Sequence, residues 1–305
     1  MIKENQRKTE LEISISNDVE IPERIRPSFL SIGRRLSSFS VDDFKIKELY
    51  DPATHLLHGG GKLIRAALVL SSAASIGLEP EKFVDLAVAI EMLHNASLVH
   101  DDIIDKDIVR RGLPTVHVKF GPELAILAGN ASITKAIKYA SRYNSRVVEA
   151  ASEAALDMCA GEVLDFKQQQ SAKIPILDEY LQIIGFKTAS LMATSASIPA
   201  TYIGDEAREK ALHQIGHNMG LSFQMRDDIL ESQGLKARPP PAGNQELARF
   251  RPNIVTVFAN SKRPDPLKTA IKLNNFYVGR ARELLGELSS PELFRGYLEF
   301  LEIEA

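Results

Sequence analysis

The sequence predicts an all-α fold in which long helices surround a shared core. Apolar side chains recur at helical spacing along most of the chain, and residues 63–76 are apolar on nearly every side. Proline stands where helices would begin, as at Pro80 and Pro122. Strand-type alternation flanked by turns does not persist anywhere, and no repeat of solenoid length occurs. We therefore predict a single helical domain over residues 21–305, preceded by a polar extension over residues 1–20.

Length and composition restrict the classes of function. The 305 residues, 44% of them hydrophobic, can build a substantial core. The formal net charge of −3 argues against a nucleic-acid-binding protein, which usually carries a basic excess. We expect no membrane span, because no long uninterrupted apolar run occurs. The single cysteine, Cys159, permits no internal disulfide, so a cytoplasmic location is expected.

The predicted helices follow one another with short breaks. Residues 21–50 hold a helical pattern that is interrupted by two prolines. Further helices are predicted over residues 63–76, 81–105, 123–143, 145–169, 177–202 with an interruption near Gly185, 206–232, 254–259, 266–288 and 291–302. Residues 110–120 are predicted to form a loop. Residues 235–252 contain three consecutive prolines and a Gly-Asn pair, which preclude a regular helix.

An acidic cluster closes one of the predicted helices. Asp101 and Asp105 are four residues apart and share a helix face, with Asp102 beside them. Like charges at this spacing repel, so a positive partner is expected. Magnesium is typically held by one or two carboxylates together with substrate phosphates. Arg110 and Arg111 follow, and arginine suits diphosphate oxygens, so the cluster predicts a Mg²⁺-bound diphosphate.

A second acidic cluster repeats this geometry near the end of another helix. Asp227 and Glu231 are again four residues apart, and Asp228 lies between them. Either cluster alone is more often a solvated helix face. However, each follows an apolar helical segment, residues 87–99 and 219–225, which would carry the carboxylates to the rim of a cavity. Two such faces opposite each other would hold several Mg²⁺ ions and one diphosphate.

Cationic side chains predict a second, metal-free anion site. Lys62 and Arg65 follow two glycines at the start of a helix, where the helix dipole favours an anion. The GxxxxGK[ST] spacing of a nucleotide P-loop is absent, and the alternative is a simple loop with solvated cations. His94 lies two helical turns before Asp101; a lone histidine there is more often a satisfied core residue, but it can also face an anion held with Arg111.

Lys187 and Thr188 stand inside an otherwise apolar, small-residue helix. A lysine in such a helix is expected to reach the surface or to meet an anion. No role is assigned to His100, and Cys159 is expected to be a small core residue. Two anion sites, one bridged by metal and one built from Lys, Arg and His, fit a reaction between two phosphorylated substrates of which only one loses its leaving group.

Several of these motifs, in this order, resemble the trans-isoprenyl diphosphate synthases, the family of farnesyl, geranylgeranyl and polyprenyl diphosphate synthases. The segments that carry the resemblance are GGKLIR, EMLHNASLVHDDIID followed by RRGLPTVH, GFKTASL, and GLSFQMRDDILE. They extend over residues 57–231. The resemblance implies an isoprenoid-synthase-type bundle of long helices around a deep central cavity, and a homodimer.

The resemblance also implies residue roles in the condensation of isopentenyl diphosphate with an allylic diphosphate. The catalytic residues would be Asp101, Asp105, Asp227 and Lys187. Metal, Mg²⁺ with Mn²⁺ as an alternative, would be held by Asp101, Asp102, Asp105, Asp227, Asp228 and Glu231. The allylic diphosphate would be held by Arg110, Lys187, Thr188 and Gln224. Isopentenyl diphosphate would be held by Lys62, Arg65, His94 and Arg111.

Chain length is predicted from the helix below the first acidic cluster. Ala96 and Ser97 lie one turn before Asp101 and are small. In the family that this sequence resembles, bulky residues at these positions close the pocket at short products. Leu93 lies deeper and would help to set the final limit. From the sequence as a whole we predict a product of C15–C20 or longer. The small residues Ala96 and Ser97 favour a product beyond C15, of C20 or longer.

The sequence also departs from the family pattern. Leu63 and Ala66 replace the arginine and proline of the family's GGKRxRP, and Glu231 replaces the last aspartate of the second DDxxD. Arg226 precedes that motif. The lysine-rich segment that normally follows is missing, and its candidate substitutes are Lys236, Arg238, Arg249 and Arg251. Two alternatives stay open: a weak or inactive subunit that binds substrate or a partner, and a class I terpene cyclase.

Overall fold

The computed structural model describes residues 19–171, 173–235, 251–286 and 288–304. Of the predicted polar extension, only Val19 and Glu20 lie within these ranges. Most of the proline-rich segment lies outside them, including the candidate cations Lys236, Arg238 and Arg249. Arg251, the fourth candidate, is described.

Helices dominate the described residues, which confirms the all-α prediction. In the first half of the chain they are α1 (Arg26–Ser37), α2 (Val41–Phe44), α3 (Lys47–His58), α4 (Ile64–Ser75), a 3₁₀ turn (Pro80–Phe83), α5 (Val84–Ile104), α6 (Val116–Phe120) and α7 (Pro122–Ala140). In the second half they are α8 (Ser145–Ser171), α9 (Leu177–Ile184), a π-helical turn (Gly185–Ala189), α10 (Ser190–Ile203), α11 (Glu206–Ser232), α12 (Ile254–Asn260), α13 (Pro266–Leu285), a 3₁₀ turn (Pro291–Phe294) and α14 (Arg295–Leu301).

The predicted loop over residues 110–120 is more regular than expected. It begins with a small antiparallel hairpin of β1 (Val109–Arg110) and β2 (Leu113–Pro114), and it ends in helix α6. The two residues between the strands, Arg111 and Gly112, have φ values of 53° and 75°. Positive φ at both central residues is the geometry of a tight two-residue hairpin turn. The strands are too short for an alternating pattern to be visible in the sequence.

The predicted interruption near Gly185 is confirmed, and its cause is a π-helical turn between α9 and α10. This turn fits between two neighbouring helices because both present glycine to it. A Cβ on Gly161 of α8 would lie 2.2 Å from the backbone nitrogen of Lys187, and one on Gly220 of α11 would lie 2.5 Å from the Cα atom of Ala189. Any larger residue would therefore push the turn away.

Two hydrophobic clusters form the core. The larger one includes α4, most of α5 and α10, and the C-terminal helix α14. The smaller one lies among α9, α11, α12 and α13. Helix α5 packs against α1, α4 and α7, while α11 packs against α10 and α13. Within the described residues, no helix combines the length and apolarity needed to cross a membrane.

Candidate active site

The first acidic cluster is buried at the C-terminal end of α5. Asp101 and Asp105 are 9% and 6% exposed, and Asp102 is fully buried. The last turn of α5 contains no basic residue, and the helix dipole is negative at this end, so cations must come from elsewhere. Arg110 of the hairpin supplies one: its guanidinium is 2.5 Å from Asp102 Oδ1 and 3.4 Å from Asp101 Oδ2.

Lys187 supplies the second cation and contacts three carboxylates. Its Nζ lies 2.8 Å from Asp101 Oδ1, 2.8 Å from Glu162 Oε2 and 2.6 Å from Asp165 Oδ2. Burial alone would lower the pKa of Lys187, but these carboxylates raise it well above its ordinary value. Lys187 is therefore a permanently charged centre of the cluster, and it lies on the π-helical turn.

The carboxylates respond differently to these cations. Burial opposes the ionisation of Asp101, but Lys187 and Arg110 overcome it and lower its pKa to about 2. Burial dominates at Asp102 and raises its pKa to about 7 despite Arg110. It also raises the pKa of Glu162 to about 7 despite Lys187. Asp101 is thus ionised at neutral pH, whereas burial favours the protonated forms of Asp102 and Glu162.

Thr188, the next residue on the π-helical turn, contacts the second acidic cluster. Its hydroxyl donates to Gln224 Oε1 at 3.1 Å, and Gln224 Nε2 donates to Asp228 Oδ1 at 3.0 Å. Asp228 also accepts from the Tyr180 hydroxyl at 2.6 Å and from the Ile254 backbone N–H at 3.1 Å. Both oxygens of Asp228 are thus engaged, so in this arrangement it ties α11 to α9 and α12.

The other carboxylates of the second cluster are more accessible. Asp227 is partly exposed and Glu231 is exposed, both in the last two turns of α11. As in α5, no basic residue stands in the last turn. The sequence spacing therefore places Asp227 and Glu231, rather than Asp228, where an added cation can reach them.

Arg251 returns to the first acidic cluster from beyond the proline-rich segment. Its Nη2 lies 3.2 Å from Asp105 Oδ2, 3.1 Å from the Asp105 carbonyl and 3.3 Å from Asp107 Oδ1. Gln169 Nε2 of α8 adds a hydrogen bond of 3.3 Å to Asp105 Oδ1. We call this assembly the carboxylate half-site. Its carboxylates are Asp101, Asp102, Asp105, Asp107, Glu162 and Asp165, and its cations are Arg110, Lys187 and Arg251.

The four residues predicted to form a metal-free site lie around the first turn of α4, and we call them the cationic half-site. It consists of Lys62, Arg65, His94 and Arg111. Arg65 Nη1 lies 3.3 Å from His94 Nε2, and Arg111 Nη1 donates to the Leu56 carbonyl at 3.2 Å. Burial lowers the pKa of His94 well below its ordinary value, and Arg65 and Arg111 lower it further, so its ring is neutral.

Backbone geometry in the glycine loop shapes the cationic half-site. Arg111 also donates to the Gly60 carbonyl, and a Cβ on Gly61 would lie 3.1 Å from its guanidinium. Gly60 has a φ of 73°, and Leu63 has a φ of 48°, which is unusual for a residue other than glycine. The loop thus carries Lys62 through two left-handed positions and leaves room for the Arg111 side chain.

Aromatic rings of α11 and α14 support the cations of this half-site. The ring centroid of Phe300 lies 4.6 Å from Lys62 Nζ and 4.1 Å from Arg226 Cζ. Phe223 lies 6.2 Å from Phe300, centroid to centroid, and 5.8 Å from Arg65 Cζ. Such cation–π contacts are attractive at these distances. Arg226 thus packs over the Phe300 ring.

A family model described as polyprenyl synthetase matches residues 46–246, about two thirds of the chain. The chain belongs to the polyprenyl synthetase family. It is 35% identical over 253 residues to the geranylgeranyl pyrophosphate synthase of Geoglobus acetivorans, covering 81% of this chain and 76% of that protein. It is 33% identical over 261 residues to a geranylfarnesyl diphosphate synthase of Methanosarcina mazei, covering 84% of each.

Solved structures show the same family fold. The geranylgeranyl pyrophosphate synthetase from Geoglobus acetivorans matches with a TM-score of 0.77 and 27% identity, covering 92% of this chain and 98% of that one. The geranylgeranyl pyrophosphate synthetase from Pyrococcus horikoshii matches with a TM-score of 0.77 and 26% identity over the same shares of the two chains. The predicted resemblance and the isoprenoid-synthase-type fold are therefore confirmed.

The donor set of this polyprenyl synthetase fits a hard divalent cation. Among the described residues, six carboxylates of the carboxylate half-site meet three cations. Within the described ranges, Oδ2 of Asp102 is buried without a hydrogen-bond partner. Oxygen ligands are those that Mg²⁺ prefers. No described group of three or more ligating side chains has yet converged on one point, so cation binding requires rearrangement of the ion pairs.

The predicted chain-length residues lie on α5 between the two half-sites. Ala96 and Leu93 are each 1% exposed, and Ser97 is partly exposed. Ala96 belongs to neither hydrophobic cluster, although it is buried. Leu93 belongs to the larger one. That these positions form a pocket wall stays a prediction.

Sequence reasoning missed several residues of the site. Glu162 and Asp165 of α8, which bind Lys187, share a helix face through their three-residue spacing, but nothing local marks them as functional. Glu91 is buried, and its Oε1 accepts from the Ala66 backbone N–H at 3.1 Å at the start of α4. Asp107 lies just past the DDxxD motif.

The structure gives His100 a packing role and places Cys159 outside the core. His100 occupies the space above Gly129, where a Cβ would lie 2.1 Å from His100 Nε2, and this nitrogen lies 3.2 Å from the Ile126 carbonyl. It therefore joins α5 to α7. Cys159, expected in the core, is exposed on α8. The alternation of buried and exposed positions along α8 puts it on the outer face, which the sequence alone did not distinguish.

Proposed function

We propose that this polyprenyl synthetase is a chain-elongating trans-prenyltransferase that condenses isopentenyl diphosphate with an allylic diphosphate. One observation carries the proposal: consecutive residues of the π-helical turn contact both acidic motifs. Lys187 binds Asp101, and Thr188 binds Gln224, which in turn binds Asp228. A diphosphate placed at this turn would meet both motifs at once.

The carboxylate half-site would bind the allylic diphosphate and stabilise its departure. Mg²⁺, with Mn²⁺ as an alternative, would be held by Asp101, Asp105 and Asp227 with Glu231, and would neutralise the leaving diphosphate. Arg110, Lys187 and Arg251 would donate to its oxygens once the carboxylates turn to the metal. These donors act where negative charge grows as the carbon–oxygen bond breaks, leaving an allylic carbocation.

The cationic half-site would bind isopentenyl diphosphate without metal. Lys62, Arg65 and Arg111 would contact its oxygens, at the positive end of α4. The neutral His94 ring can donate one hydrogen bond without adding charge. The double bond of isopentenyl diphosphate then attacks the allylic carbocation, a new carbon–carbon bond forms, and a proton leaves to the released diphosphate.

We further propose that the product has a length of C20 or more. The small residues Ala96 and Ser97 would leave room for a long chain below the carboxylate half-site. Relatives named geranylgeranyl and geranylfarnesyl diphosphate synthase agree with a product of this size. The cationic half-site argues against a cyclase, which needs no site for a second diphosphate.

The experiment is elongation by the purified full chain. The chain is incubated with Mg²⁺, isopentenyl diphosphate and, separately, C5, C10 and C15 allylic diphosphates, and products are resolved by chain length. We expect C20 or longer products that disappear when a chelator is added. Absence of elongation with every primer would contradict the proposal, and cyclised products without isopentenyl diphosphate would favour the cyclase.

We also infer that the protein works as a homodimer through α7 and α8. The outer face of α8 exposes Leu156, Val163 and Phe166, which are 62%, 52% and 45% exposed, and Cys159 lies on the same stripe. Their spacing of three and four residues makes one continuous apolar seam. Ile126 and Leu127 of α7 are also exposed, at 48% and 53%. An apolar seam of this kind is typical of an interface between subunits.

A native probe reports on this seam, because Cys159 is the single cysteine. We expect slow thiol labelling of the wild type, and faster labelling together with a monomeric mass when Leu156 is replaced by Lys. A monomeric wild type would contradict the inference.

The single cysteine, which permits no internal disulfide, fits our proposal of a cytoplasmic location. A single domain over residues 21–305 also remains our proposal.

A further inference from the structure

Asp107 is a buried carboxylate that the first acidic motif does not include. It lies between the end of α5 and strand β1, and it is 4% exposed. Its backbone is held from both sides. The Asp107 N–H donates to the Asp102 carbonyl at 3.0 Å, and the Asp107 carbonyl accepts from the Thr115 hydroxyl at 2.8 Å. The side chain is therefore presented from a rigid turn.

Each oxygen of this carboxylate faces a different guanidinium. Oδ2 lies 3.6 Å from Arg110 Nη2, and Oδ1 lies 3.3 Å from Arg251 Nη2. We call Arg110 and Arg251 the arginine pair. The first comes from the hairpin and the second from the segment before α12, so 141 positions separate them in the sequence. Asp107 brings together two like charges that would otherwise repel.

The remaining partners of the arginine pair are the residues proposed to hold metal. Arg110 also contacts Asp101 and Asp102, and Arg251 also contacts Asp105. When Asp101 and Asp105 turn to a divalent cation, they release these contacts. Asp107 stands outside the DDxxD spacing and keeps both arginines. Asp102 contacts only Arg110, whereas Asp107 contacts both arginines and can hold the pair in place in both states.

We propose that Asp107 is a positioning residue that orients Arg110 and Arg251 as a pair toward the allylic diphosphate. This inference rests on the proposed function, because it concerns the substrate of the carboxylate half-site. Asp107 acts through the two guanidiniums and contacts neither metal nor substrate. It also gives Arg251 the place of the family's missing lysines, although no sequence motif marks it.

The test is the isosteric Asp107→Asn variant, with Asp107→Glu as the conservative variant. The kinetic constants for each substrate and the half-saturating Mg²⁺ concentration are measured separately. We expect KM for the allylic diphosphate to rise roughly tenfold, as for other outer-shell partners of bound ligands. KM for isopentenyl diphosphate and the Mg²⁺ dependence should stay within about twofold, and Asp107→Glu should recover part of the loss. Equal changes in both KM values would overturn the proposal.

Asp85 offers a matched control, because it too joins two arginines. It contacts Arg35 at 3.0 Å and also Arg142, in the first turn of α5. At 1.5 Å per residue, α5 separates it from Asp101 by roughly 24 Å. Asp85→Asn should change thermal stability but neither KM. If it raises the allylic KM as much as Asp107→Asn does, the effect is one of general stability and the proposal fails.

A double-mutant cycle and a binding measurement complete the design. If Asp107 acts through Arg251, Asp107→Asn should add little to the defect of Arg251→Gln, whereas full additivity would contradict the proposal. Affinity for inorganic pyrophosphate with Mg²⁺ is measured by calorimetry, independently of turnover. A wild type without elongation would sink the proposed function alone. Unchanged pyrophosphate affinity in Asp107→Asn would sink the role of Asp107 alone.

Discussion

The two half-sites stand at opposite ends of helices and carry opposite charge. Helices α5 and α11 end in acidic turns without a basic residue, so their carboxylates lie where the helix dipole is already negative. Helix α4 begins beside Lys62 and Arg65 and has no acidic residue in its first turn. In both places charge accumulates at the helix end that already has the same sign. Neither arrangement serves stability, and each is suited to a ligand of opposite charge.

The compensation in each half-site also differs. Arg110, Lys187 and Arg251 already bind the carboxylates, so cation binding must displace ion pairs. Among the described residues, Glu91 is a buried acid beside the cationic half-site. Burial raises its pKa more than the neighbouring Arg65 lowers it. Because its pKa is raised, the Glu91 carboxylate is protonated, and so neutralised, at a higher pH than an ordinary glutamate.

The largest effect is expected from Asp101→Ala. The change removes a proposed metal ligand and leaves Lys187 with Glu162 and Asp165. We expect elongation to fall on the order of 10²–10³-fold or to vanish, as for other losses of transition-state charge stabilisation. Circular dichroism should show an intact fold, although loss of the ion pairs to Lys187 and Arg110 should lower the melting temperature. Strong elongation by this variant would contradict the metal assignment and with it the contrast between the half-sites.

The next largest effects are expected when one arginine is replaced in each half-site in turn. Arg65→Gln should raise KM for isopentenyl diphosphate by about 10- to 100-fold, since a charge-assisted hydrogen bond is lost. It should leave the allylic KM and the Mg²⁺ requirement unchanged. Arg251→Gln should show the reverse pattern. Steady-state kinetics with each substrate varied in turn distinguishes the two. If both variants affect both substrates alike, the half-sites are not separate binding sites.

A bulky side chain between the half-sites should alter product length without altering either charge balance. Ala96→Phe fills a buried position that belongs to neither hydrophobic cluster. We expect products shortened by at least one isoprene unit, measured by chain-length analysis, with each KM changed less than about threefold because no charged contact is removed. Ala125→Phe on α7, also at a buried alanine, is the packing control and should not shorten the product. Unchanged product length in Ala96→Phe would remove α5 from the pocket wall.

The sequence predicts what lies within one element and fails where elements meet. Asp101 and Asp105 are predictable because one helix sets their spacing. Lys187 is predictable as an anion-binding lysine, but its partners on α8 are not, because α8 reaches it only through the packing of Gly161. Spacing also cannot tell that Asp228 faces Tyr180.

The same limit explains Arg251 and the hairpin. Arg251 meets Asp105 and Asp107 only after the chain returns from α11 to α12, so no local pattern marks it. The hairpin strands are two residues each, and their turn depends on positive φ at Arg111, which is unusual for a residue other than glycine. The fold class, by contrast, follows from helical periodicity along most of the chain.

The smallest effect is expected at His94, the neutral member of the cationic half-site. Burial, then Arg65 and Arg111, lower its pKa below the ordinary 6.5. The unfolded chain therefore binds this proton more readily, so stability must fall as pH drops below 6.5 toward the native pKa. His94→Gln keeps a neutral hydrogen-bond donor and does not lose stability in this way. The loss in the wild type amounts to at most about 1.4 kcal/mol per pH unit.

Melting temperatures of the wild type and His94→Gln, compared between pH 7.5 and 5.5, measure the difference. The other histidines are common to both proteins and cancel. We expect the wild type to lose more stability than the variant on acidification, while elongation at neutral pH changes little, because a neutral ring and a neutral amide both donate one hydrogen bond. A parallel pH dependence would mean that folding does not lower the pKa of His94, so that the ring becomes protonated in the folded chain on acidification. The cationic half-site would then carry a fourth positive charge, and the contrast with the carboxylate half-site would be sharper still.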